Sequence, residues 1–187
     1  MGPNRSCGVV IGPERIDDPL PTHEVAEMGA EFERMLASVL HAGDLVHAKE
    51  RIEDFVVWAH QIATSPFEVN YVRRLELSAT LTAFCMFEGD VDEAALIAAE
   101  LIRLPCHRRI AQVWEVVVFA GFCRKRGRPE VGWQPLLGAF ELADRELPSD
   151  ENWLARRAYF LGVLHSLWSS IGENVRHSLT PLPANER

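Results

Sequence analysis

Apolar side chains recur at every third or fourth position along most of this chain, which is the period of an amphipathic α-helix. The pattern is clearest from Leu75 to Pro105, where it predicts two helices that fold back on each other at Gly89-Asp90. Glycine tolerates the left-handed conformation that ends a helix, and Asp90 with Glu93 three residues later forms a capping-box pattern for the next helix. Pro105 ends the second helix because proline has no amide hydrogen to donate.

The same pattern continues on both sides of this hairpin. One helix is predicted from its cap at Thr22 to Ala42, and another follows the Gly43-Asp44 turn. The run at 65–68, Ser-Pro-Phe-Glu, predicts the start of a third helix. Three more apolar segments follow Pro105, and the first of them, at about 107–126, is expected to be the most buried helix. The sequence therefore predicts an all-α protein of about seven helices.

The helical pattern also sets the predicted domain boundaries. Residues 1–22 are rich in proline and glycine and predict a flexible N-terminal arm. Residues 23–178 are predicted to form a single α-helical domain, and residues 179–187 a flexible tail. A chain of 187 residues is long enough to bury roughly 70% of its unfolded surface.

The central turn resembles that of a tetratricopeptide repeat. Gly89-Asp90-Val91-Asp92-Glu93-Ala94 and Leu104-Pro105 match the turn and the helix end of that family, whereas Ser78, Thr82 and Cys85 stand where the family has large, small and aromatic residues. The resemblance implies a short right-handed solenoid of helical hairpins. In such a solenoid the first helix of each hairpin lines a concave groove.

Turn glycines support a repeating architecture. Gly43, Gly89, Gly127 and Gly172 are 46, 38 and 45 residues apart, an irregular spacing close to that of helical-hairpin repeats. A compact bundle of six or seven helices with short loops would leave almost the same pattern, so this alternative stays open.

Composition and charge narrow the function classes. A net charge of −8 argues against a general nucleic-acid binder, which is expected to be basic. The chain has no apolar run of membrane-spanning length, and its four cysteines have no paired spacing, so a reduced cytoplasmic protein is expected. Its basic residues are nearly all arginine, which is typical of a GC-rich bacterial genome; avoidance of ubiquitin in a host cell is the alternative.

Catalytic and metal-binding patterns are weak in this sequence. His41, Asp44 and His47 lie close in sequence, but Gly43 interrupts the helix that would align them. Nucleophile, phosphate-loop and dinucleotide motifs are absent from the sequence. Cys106 begins a predicted helix beside basic residues, a place that lowers a thiol pKa, although a small turn residue is the favoured interpretation. No enzyme activity, cofactor or metal is therefore expected.

The resemblance and the charge pattern together suggest which side chains contact a partner. A basic cluster at the start of a helix opposes the helix dipole, and such a cluster at 107–109 indicates a bound acidic peptide or anion. The expected function is a non-enzymatic protein–protein interaction module, an adaptor or small chaperone that binds a peptide or helix of another protein. The predicted partner-binding residues are Glu33, His41, Glu76, Ala83, Phe87, His107, Arg108, Arg109, Arg124 and Lys125.

Two alternatives remain open at this stage. The first is a helical bundle that encloses a small hydrophobic ligand, acting as a sensor or an unrecognised enzyme, with Trp114, Trp153, Cys85 and Phe119 around the cavity. The second is a homodimer formed through Trp133 or the last helix.

Overall fold

The computed structural model describes residues 23–104 and 109–181. Seven long helices and one short helix make up this described part, which holds no β-strand, and the all-α prediction is confirmed. The helices are α1 (His23–Leu40), α2 (Leu45–Ile62), α3 (Pro66–Met86), α4 (Val91–Arg103), α5 (Arg109–Lys125), α6 (Pro129–Glu146), α7 (Glu151–Ser170) and α8 (Glu173–Arg176).

Side-chain caps fix the beginnings of four helices. The carboxylate of Asp44 accepts a hydrogen bond from the His47 amide at the start of α2. Asp90 and Asp150 accept similar bonds at the starts of α4 and α7. Ser65 and Glu68 form the predicted capping box of α3. Each cap satisfies amides that have no partner within the first turn.

Two predicted turn glycines adopt the left-handed conformation, Gly43 with a φ of 85° and Gly127 with a φ of 72°. The prediction for Gly89 is wrong. The left-handed residue of the central turn is Glu88, with a φ of 51°. Gly89 is needed for space instead, because a Cβ atom at this position would lie 2.5 Å from Cδ1 of Phe84.

The helices pack mainly on those one or two places away along the chain, such as α3 on α1, α2, α4 and α5. Their buried apolar side chains form three clusters in series, the first from α1–α3, the second from α3–α5 and the third from α5–α7. Both α3 and α5 contribute to two clusters from different faces. The core is therefore a chain of linked clusters.

Helices α5 and α7 lie side by side and point the same way. Near their starts, the rings of Trp114 and Tyr159 have centroids 5.5 Å apart. Near their ends, Nη1 of Arg124 donates to Oγ of Ser166 at 3.2 Å.

Helices α3 and α5 are related in the same way. Oγ of Ser78, just after the middle of α3, donates to the Glu115 carboxylate, just before the middle of α5, at 2.7 Å. Beyond the end of α3, the Glu88 carboxylate accepts from Nζ of Lys125 at 2.7 Å. Thus α3, α5 and α7 form a row of three parallel helices.

The segment after α7 packs back onto α6 and α7. Nε1 of Trp133 donates to the Thr180 carbonyl at 2.8 Å, and the Arg176 guanidinium lies 5.6 Å from the Trp168 ring centroid. The packed region therefore reaches Thr180, two residues beyond the predicted domain end. Trp133 is completely buried, so the prediction that it forms a dimer face is wrong.

Candidate functional site

An open groove of about 460 Å³ runs between α5 and α7. Two parallel helices form its walls, and most of its lining is apolar. Its lining residues are Val117, Ala120, Gly121, Arg124, Ala158, Tyr159, Gly162, Val163, Ser166 and Leu167.

Each wall of the groove contains a glycine, which has no side chain to fill the space between the helices. A Cβ atom added to Gly121 on α5 or to Gly162 on α7 would meet no atom within 4 Å. Glycine inside a helix is about 1 kcal/mol less favourable than alanine. Both glycines, each of which is less favourable in a helix than alanine, lie where the surfaces of α5 and α7 face each other across the groove.

Aromatic and apolar side chains are exposed at the end where α5 and α7 begin. Trp114 is 48% exposed, Tyr159 is 53% exposed, and Val118, one turn after Trp114, is 52% exposed. Seven of the 17 residues of α5 are buried, in keeping with the expected burial of this helix, so the exposure is confined to this face. Neighbouring helices cover the other faces of α5, and exposed aromatic side chains are typical of protein interfaces.

The other end of the groove carries a positive charge. Arg124 contacts the Ser166 hydroxyl, and no acidic side chain of the described residues forms an ion pair with it. The neighbouring Lys125 and Arg126 differ, since both pair with Glu88, at 2.7 and 3.4 Å. The predicted basic cluster at the end of α5 is thus divided into paired cations and one cation at the groove.

On its α3 side, α5 carries a polar cluster instead of a groove. Oε1 of Glu115 accepts from Oγ of Ser78 at 2.7 Å and lies 3.4 Å from Nη2 of Arg74. Oε2 of Glu115 is buried and accepts no hydrogen bond within the described ranges. Burial raises the pKa of Glu115, and the Arg74 charge and the Ser78 hydrogen bond offset only part of this rise.

The predicted partner-binding residues do not share one surface. Glu33 on α1 and His41, the first residue after α1, are exposed, and Nδ1 of His41 lies 2.7 Å from the Ala37 carbonyl oxygen. Glu76 instead pairs with Arg73, which also bonds to Glu100 of α4. Glu76 therefore belongs to the contact between α3 and α4, away from the groove.

Two other predicted residues of α3 belong to the core. Ala83 is completely buried in the α1–α3 cluster, so its assignment as a partner contact is wrong. Phe87 is half-buried and packs against the same cluster. Because α3 packs between two hairpins, both of its sides are apolar, and the pattern alone assigns no exposed side.

The side chain of Arg109 makes its contacts within the protein. Its side chain is only 10% exposed and pairs with Glu146 at the end of α6. Its Nη1 also donates to Oε1 of Gln112 at 2.7 Å and to the Leu104 carbonyl at 2.9 Å. These bonds hold the start of α5 against the helices on either side. His107 and Arg108 lie outside the described residues, as does Cys106.

The residues predicted to enclose a ligand do not surround one cavity. Trp153 and Phe119 are completely buried in different clusters, and Trp114 lies on the surface. Burial raises the pKa values of Cys85 and Cys123 to about 12, the opposite of what a reactive thiolate requires.

Sequence reasoning missed the groove itself. On α5, Gly121 lines the groove, and the exposed Trp114 and Val118 beside the groove precede it by seven and three residues. On α7, Tyr159 and Gly162 continue the same surface. Trp114 does not signal an exposed surface in the sequence, because tryptophan at helical spacing is usually buried.

Comparisons with known proteins add no identification: no protein-family model, no curated protein and no solved structure matches this chain. Within residues 23–104 and 109–181, none of the helices combines the length and apolar character needed to cross a membrane. The same ranges contain no group of three His, Cys, Asp or Glu side chains positioned to hold a metal ion.

Proposed function

We propose that this protein is a non-enzymatic interaction module, an adaptor or small chaperone, that binds a helix or peptide of another protein in the groove between α5 and α7. The observation that carries this proposal is an open apolar groove with glycines in its walls and exposed Trp114, Val118 and Tyr159 beside it. Exposed apolar patches bordered by polar residues are typical of binding surfaces.

We further propose that the hairpins stack as a short, right-handed, tetratricopeptide-like solenoid, with the groove on the face of the first helices. The serial apolar clusters support this arrangement, because each hairpin of a solenoid buries the face of its neighbour. The parallel row of α3, α5 and α7 supports it as well. Glu33 on α1 and His41 directly after it are exposed and would extend the binding face toward the first hairpin.

Site-specific photocrosslinking tests the binding function. A photoreactive phenylalanine analogue at Val118 is expected to form a covalent adduct with a partner protein in the cells that make this chain. Val57 of α2 is the matched control, because it is 57% exposed and Val118 is 52% exposed. The analogue at Val57 is expected to give no such adduct.

The opposite result would contradict the proposal. If neither position forms an adduct and the purified protein instead carries a tightly bound metabolite, a small-ligand function replaces the adaptor function.

A further inference from the structure

The walls of the groove restrict the backbone conformation of its occupant. Both walls are α-helices, whose backbone amides and carbonyls bond within each helix and offer nothing to an extended chain. Few side chains there supply hydrogen bonds, chiefly those of Tyr159, Ser166 and Arg124. An extended segment would bury many unpaired backbone groups, whereas a helix satisfies its own. The occupant that fits is therefore helical.

Length and shape define the contact face of that helix. Arg124 lies ten positions after Trp114 on α5, which corresponds to about 15 Å along the helix, or nearly three helical turns. Gly121 and Gly162 leave space between these ends, so an apolar ridge on the occupant can approach the backbone of both walls. A helix with apolar side chains three and four positions apart presents such a ridge.

The positive charge of Arg124 at one end of the groove adds a requirement for the occupant. Arg124 has a hydroxyl contact but no acidic partner among the described residues. A helix lying in the groove removes water from this guanidinium, and a carboxylate on that helix would offset the loss.

These three observations point to one kind of occupant. We infer that the groove takes an amphipathic helix of a partner protein, with an acidic side chain at the Arg124 end of its apolar ridge. This inference rests on the proposed function and specifies the chemistry of the partner.

The exposed face of α4 in a second copy of this chain does not supply such a helix. On the exposed face of α4, for example, Leu96 lies between the charged Asp92 and Arg103. That face lacks a continuous apolar ridge.

A displayed library of random peptides about 14 residues long, with no helical bias in its design, provides the test. Selection is carried out against the wild-type chain, Arg124→Glu and the matched control Arg51→Glu, which makes the same charge change on an exposed position of α2. The wild type and the control are expected to enrich one acidic position beside an apolar ridge. Arg124→Glu is expected to enrich a basic residue there. Replacing the selected acid by its amide is expected to raise Kd about tenfold or more.

Variants that fill the groove distinguish a failure of the carboxylate requirement from a failure of the proposed function. A leucine in place of Gly162 or Gly121 projects into open space and is expected to abolish binding of the selected peptides. Peptides that depend on the groove but show no acidic preference would overturn the carboxylate requirement and leave the proposed function standing. Peptides that bind the filled variants equally well would overturn both.

Two further outcomes would also overturn the inference. Enrichment of proline-containing extended sequences would exclude a helical occupant. Self-association of the wild type that Gly162→Leu abolishes would assign the groove to a second copy of this chain.

Discussion

The two sides of α5 differ in what fills the space beside a parallel neighbour. On the α3 side, Arg74, Ser78 and Glu115 bridge the two helices with polar contacts. On the α7 side, Gly121 and Gly162 leave the corresponding surface open. Both neighbours run in the same direction as α5, so the direction of the helices does not distinguish the two sides. The side chains decide whether two stacked helices close their surface or leave a groove.

The largest expected effect comes from removing the cation on the closed side. Arg74→Met keeps much of the apolar stem but leaves the buried Glu115 carboxylate without its counter-charge. We expect the free energy of unfolding to fall by about 3 kcal/mol near pH 7. The loss is expected to shrink as the pH is lowered to about 4.5, because a protonated Glu115 needs no counter-charge. Urea unfolding at the two pH values measures both effects.

Arg124→Met is the matched change on the open side of α5. It is expected to alter the free energy of unfolding by no more than about 0.5 kcal/mol, because Arg124 is exposed and pairs with no carboxylate within the described ranges. Equal losses for the two variants would contradict the contrast between the two sides of α5.

Gly132 tests close packing on a third face of α5, toward α6. A Cβ atom there would lie 2.9 Å from the Ala120 Cα and 3.2 Å from the Cys123 Cβ. Gly132→Ala is therefore expected to push α5 and α6 apart and to destabilise the protein by about 2 kcal/mol, despite the better helix propensity of alanine.

Gly138 provides the control in the same helix. A Cβ atom there meets nothing within 4 Å, so Gly138→Ala is expected to leave the midpoint of thermal unfolding unchanged or raise it. A lower midpoint for both variants would indicate a general intolerance of α6 to alanine.

Glu115 is also expected to make stability depend on pH. Because burial raises the pKa of Glu115 above its ordinary value, the folded state binds this proton more tightly than the unfolded state. The stabilising contribution is complete below about pH 4.5 and is lost as the pH rises through the folded pKa. Relative to the wild type, Glu115→Gln should therefore gain stability between about pH 4 and pH 7. A constant difference across this range would contradict the raised pKa.

Glu68 is expected to show the opposite dependence. Its carboxylate accepts bonds from the Thr64 amide, the Thr64 hydroxyl and the Ser65 amide at 2.8–3.0 Å, which lower its pKa to about 2. Its contribution is present above about pH 4.5 and is lost as the pH falls through about 2. The stability advantage of the wild type over Glu68→Gln should therefore shrink between about pH 5 and pH 3. An unchanged advantage would exclude the lowered pKa.

Most helices could be predicted from the sequence because their signals are local. The apolar period and caps such as Asp44, Ser65 and Asp150 act within one or two turns, and the structure has helices where these signals stand. The role of Gly89 could not be predicted, since a left-handed turn and a close contact both favour glycine. Only the position of the Phe84 ring decides between them.

The groove could not be predicted because a small residue in a helix can lie either in a packed contact or beside open space. Ala83 and Gly162 both allow another group to approach closely, yet Ala83 is covered by its own core and Gly162 faces open space. Which of the two applies depends on whether another helix lies there. The position of a neighbouring helix is a property of the tertiary structure, and the apolar period of a single helix does not specify it.

The smallest expected effect tests whether the groove is empty in the free protein. In Gly162→Ala, the new methyl group meets no atom within 4 Å, so only the helix propensity changes. We expect the free energy of unfolding to rise by about 0.5–1 kcal/mol. Chemical unfolding of the wild type and the variant measures this difference. A loss of stability would mean that another part of the chain occupies the groove, and the surface beside α7 would then be closed, like the surface beside α3.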